Sequence, residues 1–205
     1  MALPVRAVVM AGGRATRMGG VEKQMVNILG RPMIKYVIDA LKFCEFIEGI
    51  DFVTSLFTPN TNRYLEEEGF RPIVASGSGY ISDLREYLVR AEEGLYVVVS
   101  SDIPTLRPKH IETVLRLSLV HQEEYLVFTI PYDMVKGLSS SPTIIDVDGR
   151  QYQPSGLRVI RKLSGTNLKL LAPLYIPLVF RELGINVNTF EDVKRAELYL
   201  MGLEK

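Results

Sequence analysis

The chain predicts an α/β fold: a single-domain, doubly wound, mostly parallel sheet with a small antiparallel excursion, spanning residues 1–205. Short apolar, β-branched runs alternate with helical patterns through the first two thirds of the sequence. The runs are uninterrupted, as expected of strands covered on both faces. Connections between them are short, which fits parallel strands joined by right-handed helical crossovers.

Val5 to Ala11 reads as the first strand. After a glycine-rich loop, Pro32 opens a helix to about Phe43, because proline is favoured in a first helical turn. Ile50 to Leu56 is the second strand, Asn60 to Glu68 a polar helix stopped by Gly69, and Pro72 to Ala75 a short third strand. A helix from about Tyr80 to Glu92 leads to the strongly apolar fourth strand, Leu95 to Val99. Pro108 starts a helix to about His121, and Glu124 to Pro131 is a further strand. From Tyr132 to Gly165 the pattern changes to short β segments punctuated by Pro142, Gly149, Pro154 and Gly156, which is the antiparallel excursion. A last strand at Ile185 to Val187 precedes a C-terminal helix with Thr189 as N-cap and Glu191 and Asp192 in its first turn.

Composition narrows the function classes. Lysine and arginine number 24 against 24 acidic residues, so there is no electrostatic case for nucleic acid or an anionic membrane. No run approaches the ~20 apolar residues of a membrane span. The N-terminal MALPVRAVVMAGG, interrupted by Arg6, reads as a strand and not a signal peptide. One cysteine, Cys44, rules out an intramolecular disulfide, and with only two histidines a zinc site is not expected. A reducing, cytoplasmic setting and a small-molecule substrate are the expectations.

The most informative stretch is AVVMAGGRATRMG, residues 7–19. A buried strand that breaks into Gly12-Gly13 presents backbone NH groups on a concave surface, and Arg14, Arg17 and Lys23 add positive charge. Such a loop suits a triphosphate. It is not a P-loop, since no Lys-Ser/Thr ending follows, and not a dinucleotide fingerprint, since the glycines are adjacent and the second strand carries its only acid, Asp51, at its start. A tight turn with surface arginines is the alternative reading.

Ligands of such sheets bind outside the carboxyl ends of the strands. The fourth strand ends in Ser100-Ser101-Asp102, and a carboxylate there can ligate Mg²⁺, which takes one or two protein carboxylates beside phosphate oxygens and water. A helix cap is the alternative for Asp102, although the next helix starts only at Pro108. Asn186 and Asn188 offer amide oxygens to a metal, ribose or substrate hydroxyl, while Asn188 is equally read as a helix-cap neighbour. In the loop SGSGYISDL, Ser76, Gly77 and Gly79 allow close backbone approach and Asp83 is an acceptor for guanine NH groups. The same residues also read as a plain helix opening with Ser78 as N-cap and Asp83 on a solvated face.

The first loop resembles the phosphate-binding loop of the nucleotidyltransferase superfamily that includes sugar-nucleotide pyrophosphorylases and molybdenum-cofactor guanylyltransferases. Ala11, Gly12, Gly13, Arg17, Met18, Gly19 and Lys23 fall in its register, with Ala15 and Gln24 as departures, and Arg14 and Thr16 of the same loop are further candidate nucleotide contacts. MAGGRATRMGGVEK, SGSGYISDL, VVSSDI, QPSGLRVI and INVNTFEDVKRAE together resemble the archaeal GTP:adenosylcobinamide-phosphate guanylyltransferases of cobalamin biosynthesis, a MobA-like group. The resemblance implies a Rossmann-like nucleotidyltransferase fold and transfer of GMP from GTP to a phosphate acceptor, adenosylcobinamide phosphate, with release of pyrophosphate. It implies that the NH groups of residues 12 to 19, with Arg17 and Lys23, hold the triphosphate, that Asp102 places Mg²⁺, and that Asn186 belongs to the site. It also sets Gly156 against nucleotide or acceptor, a plain turn glycine being the alternative. No general base is needed, because the acceptor phosphate is already an anion. A homodimer is compatible with all of this. The rival readings are a molybdenum-cofactor guanylyltransferase, or a nucleotide-binding regulator without catalysis.

Overall fold

The structure, a computed structural model, describes residues 3–13, 18–168 and 171–203. Strand β1 (Val5–Met10) lies between two parallel neighbours, β4 (Gly49–Ser55) and β6 (Gly94–Ser100). Its side chains alternate between the two faces. Ala7, Val9 and Ala11 pack with helices α1 (Met33–Lys42) and α4 (Pro108–Val120), whereas Val8 and Met10 pack with α3 (Tyr80–Arg90). Burial on both sides explains why the run is apolar without alternation.

The remaining elements follow the same logic. The small hairpin β2 (Asn27–Ile28) and β3 (Arg31–Pro32) precedes α1, so Pro32 stands just ahead of the helix and not inside its first turn. Helix α2 (Pro59–Glu67) ends before Gly69, which takes a positive φ, and leads to edge strand β5 (Ile73–Ala75). Strand β7 (Tyr125–Pro131) is followed by the single turn α5 (Tyr132–Val135), then by β8 (Ile145–Val147), β9 (Arg150–Lys162) and β10 (Leu174–Pro177). The sheet order is β10-β7-β9-β6-β1-β4-β5, with β8 on β9.

Two expectations need correction. The 132–165 stretch is antiparallel as expected but is not made of short segments alone: β9, 13 residues long, lies inside the main sheet between β6 and β7, antiparallel to both. Pro154 and Gly156 argue against an internal strand, yet the β7–β9 register shifts between Val127 and Thr129, where Ser155 Oγ donates to Phe128 O at 2.8 Å. A side-chain hydroxyl there replaces a ladder bond. The second correction is that Ile185–Val187 is not a strand. Ile185 and Val187 are buried against α6 (Phe190–Leu200), and Val187 N donates to Asp102 O at 3.0 Å. Burial, not pairing, makes that run apolar, and the edge strand is β10 instead. No helix among the described residues is long and apolar enough to cross a membrane.

Candidate active site

At the carboxyl end of the sheet the ends of β1 and β6 and the loop after β5 enclose a cleft of about 430 Å³. Gly12, Gly13, Lys23 and Gln24 form one wall, Gly77 to Tyr80 and Asp83 the other, and Ser100 to Asp102 the floor. Residues 14–17, which include Arg14, Thr16 and Arg17, lie outside the described residues. Ala11 and Gly19 do not line the cleft; Ala11 is a buried anchor, donating to Val53 O and accepting from Gln24 Nε2.

Lys23 is the hub. Its ammonium donates to Asp102 Oδ2 at 2.7 Å and to Asn188 Oδ1 at 3.1 Å, with both members of the ion pair more than four-fifths buried. Asp102 Oδ1 is buried and has no hydrogen-bond partner among the described residues, and the same holds for Asn186 Oδ1. Orphaned acceptors of this kind are costly unless something binds them. Among the described residues no three His, Cys, Asp or Glu side chains form a metal-binding group. One carboxylate, with the Asn188 amide oxygen on the same lysine, does fit a hard cation that arrives with phosphate ligands. Of the two asparagines, Asn188, read from sequence as equally a cap neighbour, reaches Lys23 with its side chain, whereas Asn186 is tied to this corner only through its chain neighbour Val187, whose NH bonds Asp102 O.

Local structure holds the hub in place. Glu22, itself buried, accepts from Asn60 N, Asn60 Nδ2, Thr61 N and Thr61 Oγ1 at 2.7–2.8 Å, tying the loop before Lys23 to the N-terminus of α2. On the far side Asp192 caps α6 in a reciprocal pair with Thr189 and also accepts from Asn188 N at 2.9 Å and Ser140 N at 2.6 Å. Burial alone would raise the Asp192 carboxyl, but these bonds outweigh it and hold it below the usual carboxylate range. His110, fully buried, accepts from Arg107 N and shares a 3.0 Å bond with Glu182. Burial pushes its pKa down against the pull of Glu182, so the ring is neutral and Nε2 carries the proton.

The 76–84 loop departs from the plain helix-opening reading. Asp83 is buried, not solvated, and its Oδ1 accepts from Gly77 N at 3.0 Å, Ser78 N at 3.2 Å and Ser76 Oγ at 3.3 Å. Gly79, not Ser78, is the N-cap of α3. Gly77 has φ +71, and a Cβ there would meet the Phe57 ring at 2.7 Å, so glycine is required twice over. Ser76 stands behind the cleft, its NH donating to Glu86. Tyr80 was missed, although its place directly after Gly79 is the signal. The Arg158 guanidinium lies 4.3 Å over its ring and bonds its hydroxyl, and burial pushes that hydroxyl up to about 12. Gly156 has φ +80, and a Cβ there would lie 2.2 Å from Ile103 Cδ1 and 3.3 Å from Ser100 Cβ, so glycine is required by the protein's own packing beside the cleft floor.

A family model for the MobA-like NTP transferase domain matches residues 7–167. The chain belongs to this family. Over 204 residues it is 33% identical to the adenosylcobinamide-phosphate guanylyltransferase of Methanocaldococcus jannaschii, covering 95% of this chain and 96% of the relative. The molybdenum cofactor guanylyltransferase of Shewanella pealeana is 35% identical over 109 residues, 52% of each chain. A CMP:2-keto-3-deoxy-manno-octonic acid synthetase complexed with CTP has the same fold, with a TM-score of 0.71 and 15% identity over 98% of this chain and 99% of that one. As a MobA-like transferase, the chain carries its Lys23–Asp102 pair and glycine loop within the matched segment.

Proposed function

We propose that the protein transfers GMP from GTP to adenosylcobinamide phosphate, giving adenosylcobinamide-GDP and pyrophosphate. The observation that carries the acceptor is the extent of similarity. The adenosylcobinamide-phosphate enzyme matches along almost its whole length, through β9 and α6, whereas the molybdenum-cofactor enzyme matches about half.

In this reading the base lies between the end of β1 and the 77–80 turn, whose backbone polar groups and Asp83 read guanine. The triphosphate runs along Gly12, Gly13 and the following loop, with Lys23 and Arg17 neutralising it. An oxygen of the acceptor phosphate attacks the α-phosphorus, the bond from that phosphorus to the bridging oxygen breaks, and the electron pair leaves with pyrophosphate. Two anions must meet, so the chain's work is alignment and charge neutralisation rather than proton transfer. Magnesium, held by Asp102 with Asn186 and Asn188 near it, would supply further neutralisation of the phosphates. Lys23 contributes its charge by releasing Asp102 and turning to the triphosphate.

The test is product analysis by mass spectrometry with GTP, Mg²⁺ and adenosylcobinamide phosphate in a cytoplasm-like reducing buffer. The GDP-linked corrinoid is expected, with unphosphorylated adenosylcobinamide left unmodified. Turnover with molybdopterin alone would move the chain to the molybdenum-cofactor activity, and nucleotide binding with no turnover on either acceptor would make it a regulator.

A further inference from the structure

A second cleft, of about 610 Å³, opens between the end of β7 with α5 and the start of β9. Tyr132 and Tyr152 give it flat apolar walls, Lys136 and Arg150 supply cations, and Asp133 one carboxylate. Among the described residues no ion pair engages Lys136, Arg150 or Asp133, although charged partners are common elsewhere on this surface. Unspent donors around aromatic faces, in a cavity of small-molecule size, are the composition of a ligand site.

Its position relates it to the reaction centre. Gly156 lies against Ser100 at the end of β6, and β9 runs outward from there, Tyr152 standing opposite Pro131. At ~3.3 Å per residue the four steps from Gly156 to Tyr152 carry the strand about 13 Å beyond the floor of the nucleotide cleft. The wall is also joined to the centre directly. The segment after α5 bonds Asn186 O through Ser139 Oγ and Asp192 through Ser140 N, and Asp192 holds the backbone of Asn188, whose side chain meets Lys23.

We propose that this cleft binds the body of the acceptor, a broad, flat macrocycle rimmed with amides, while the acceptor's phosphate arm reaches Asp102 and Lys23. The assignment rests on the acceptor named under Proposed function. Tyr132 and Tyr152 offer faces for the ring, Lys136 and Arg150 donate to amide carbonyls, and Asp133 accepts from amide NH₂ groups. A phosphate arm that reacts some distance from its ring needs such a separation between the two clefts.

The experiment compares wild type with Lys136→Ala/Arg150→Ala and with Tyr152→Ala, measuring steady-state constants and the spectral titration of adenosylcobinamide, which lacks the phosphate, on protein saturated with a non-hydrolysable GTP analogue. KM for adenosylcobinamide phosphate should rise about tenfold or more in each variant, with GTP affinity and melting temperature unchanged. Adenosylcobinamide should bind wild type, compete with its phosphate, and lose about tenfold in affinity in the variants. Turnover on the corrinoid phosphate with KM and titration unaltered in both variants overturns this assignment alone. Neither turnover nor corrinoid binding by wild type overturns the acceptor reading and this site with it. Corrinoid binding without turnover, weakened in the variants, still supports the cleft.

Discussion

Lys23 Nζ sits 2.7 Å from Asp102 Oδ2, across 79 residues of sequence, and Asp102 Oδ1 beside it is buried without a partner among the described residues. The carboxylate thus has one oxygen neutralised by a lysine and one left for a ligand. Without nucleotide, Lys23 is the counter-ion of Asp102; with a triphosphate present, its charge has a second claimant.

Asp102→Asn should therefore have opposite effects on two measurements. Turnover with GTP and Mg²⁺ should fall by about 10² or more, because charge stabilisation in the transition state is lost. Affinity for GTP in excess EDTA should rise several-fold, on the order of 1 kcal/mol, because Lys23 is released from its partner. Calorimetry showing weaker metal-free binding would contradict the exchange of partners by Lys23.

The loop variant Gly77→Ala should weaken GTP binding by about tenfold or more, on the order of 1–3 kcal/mol, because the new methyl meets Phe57 at a positive φ and displaces NH groups bonded to Asp83. The effect should be smaller for the pyrophosphate end, so inhibition by pyrophosphate should change little. Equal losses for GTP and pyrophosphate would place the base elsewhere.

Asp192→Ala removes the acceptor for Asn188 N, Thr189 N and Ser140 N at once. Each buried donor left unpaired costs about 1–3 kcal/mol, so thermal unfolding should shift down by several degrees. The lost bonds also loosen Asn188, so kcat should fall even at temperatures where the variant is folded. Because the Asp192 carboxyl is held low, its stabilisation is complete above the unfolded carboxylate value of about 4 and is lost as pH falls below it.

The buried His110 gives a second pH signature. Its folded pKa lies below the unfolded value of about 6.5, so its contribution to stability is complete above that pH and declines as pH falls through it, while the unfolded chain takes up protons. Urea unfolding from pH 7 to 5 should show falling stability, and His110→Gln should flatten that slope. An unchanged slope in the variant would place the titrating group elsewhere.

What the sequence disclosed, and what it hid, has a physical pattern. Strands β1, β4 and β6 were legible because burial on both faces writes itself as unbroken apolar runs; Asp102 stood out at a strand end and Lys23 in the loop motif, and both line the cleft. Strand β9 was obscured by Pro154 and Gly156, which a bulge and the Ser155 hydroxyl accommodate only in three dimensions. Ile185 and Val187 looked like a strand because core burial and strand pairing leave the same apolar trace. Asp83 lines the cleft, but its work of bonding the loop's own NH groups depends on a turn closure that spacing does not reveal. Glu22 was missed because a carboxylate holding the N-terminus of a helix 38 residues later has no local signature.

GMP transfer between two phosphates at Lys23 and Asp102 is tested most directly by a single reaction followed by mass spectrometry. With GTP carrying ¹⁸O in its α-phosphoryl group, Mg²⁺ and adenosylcobinamide phosphate, the account predicts a GDP-linked corrinoid that retains the label, one pyrophosphate per product, and no product from Asp102→Asn on the same timescale. Pyrophosphate release with no labelled corrinoid, or equal product from Asp102→Asn, would contradict it.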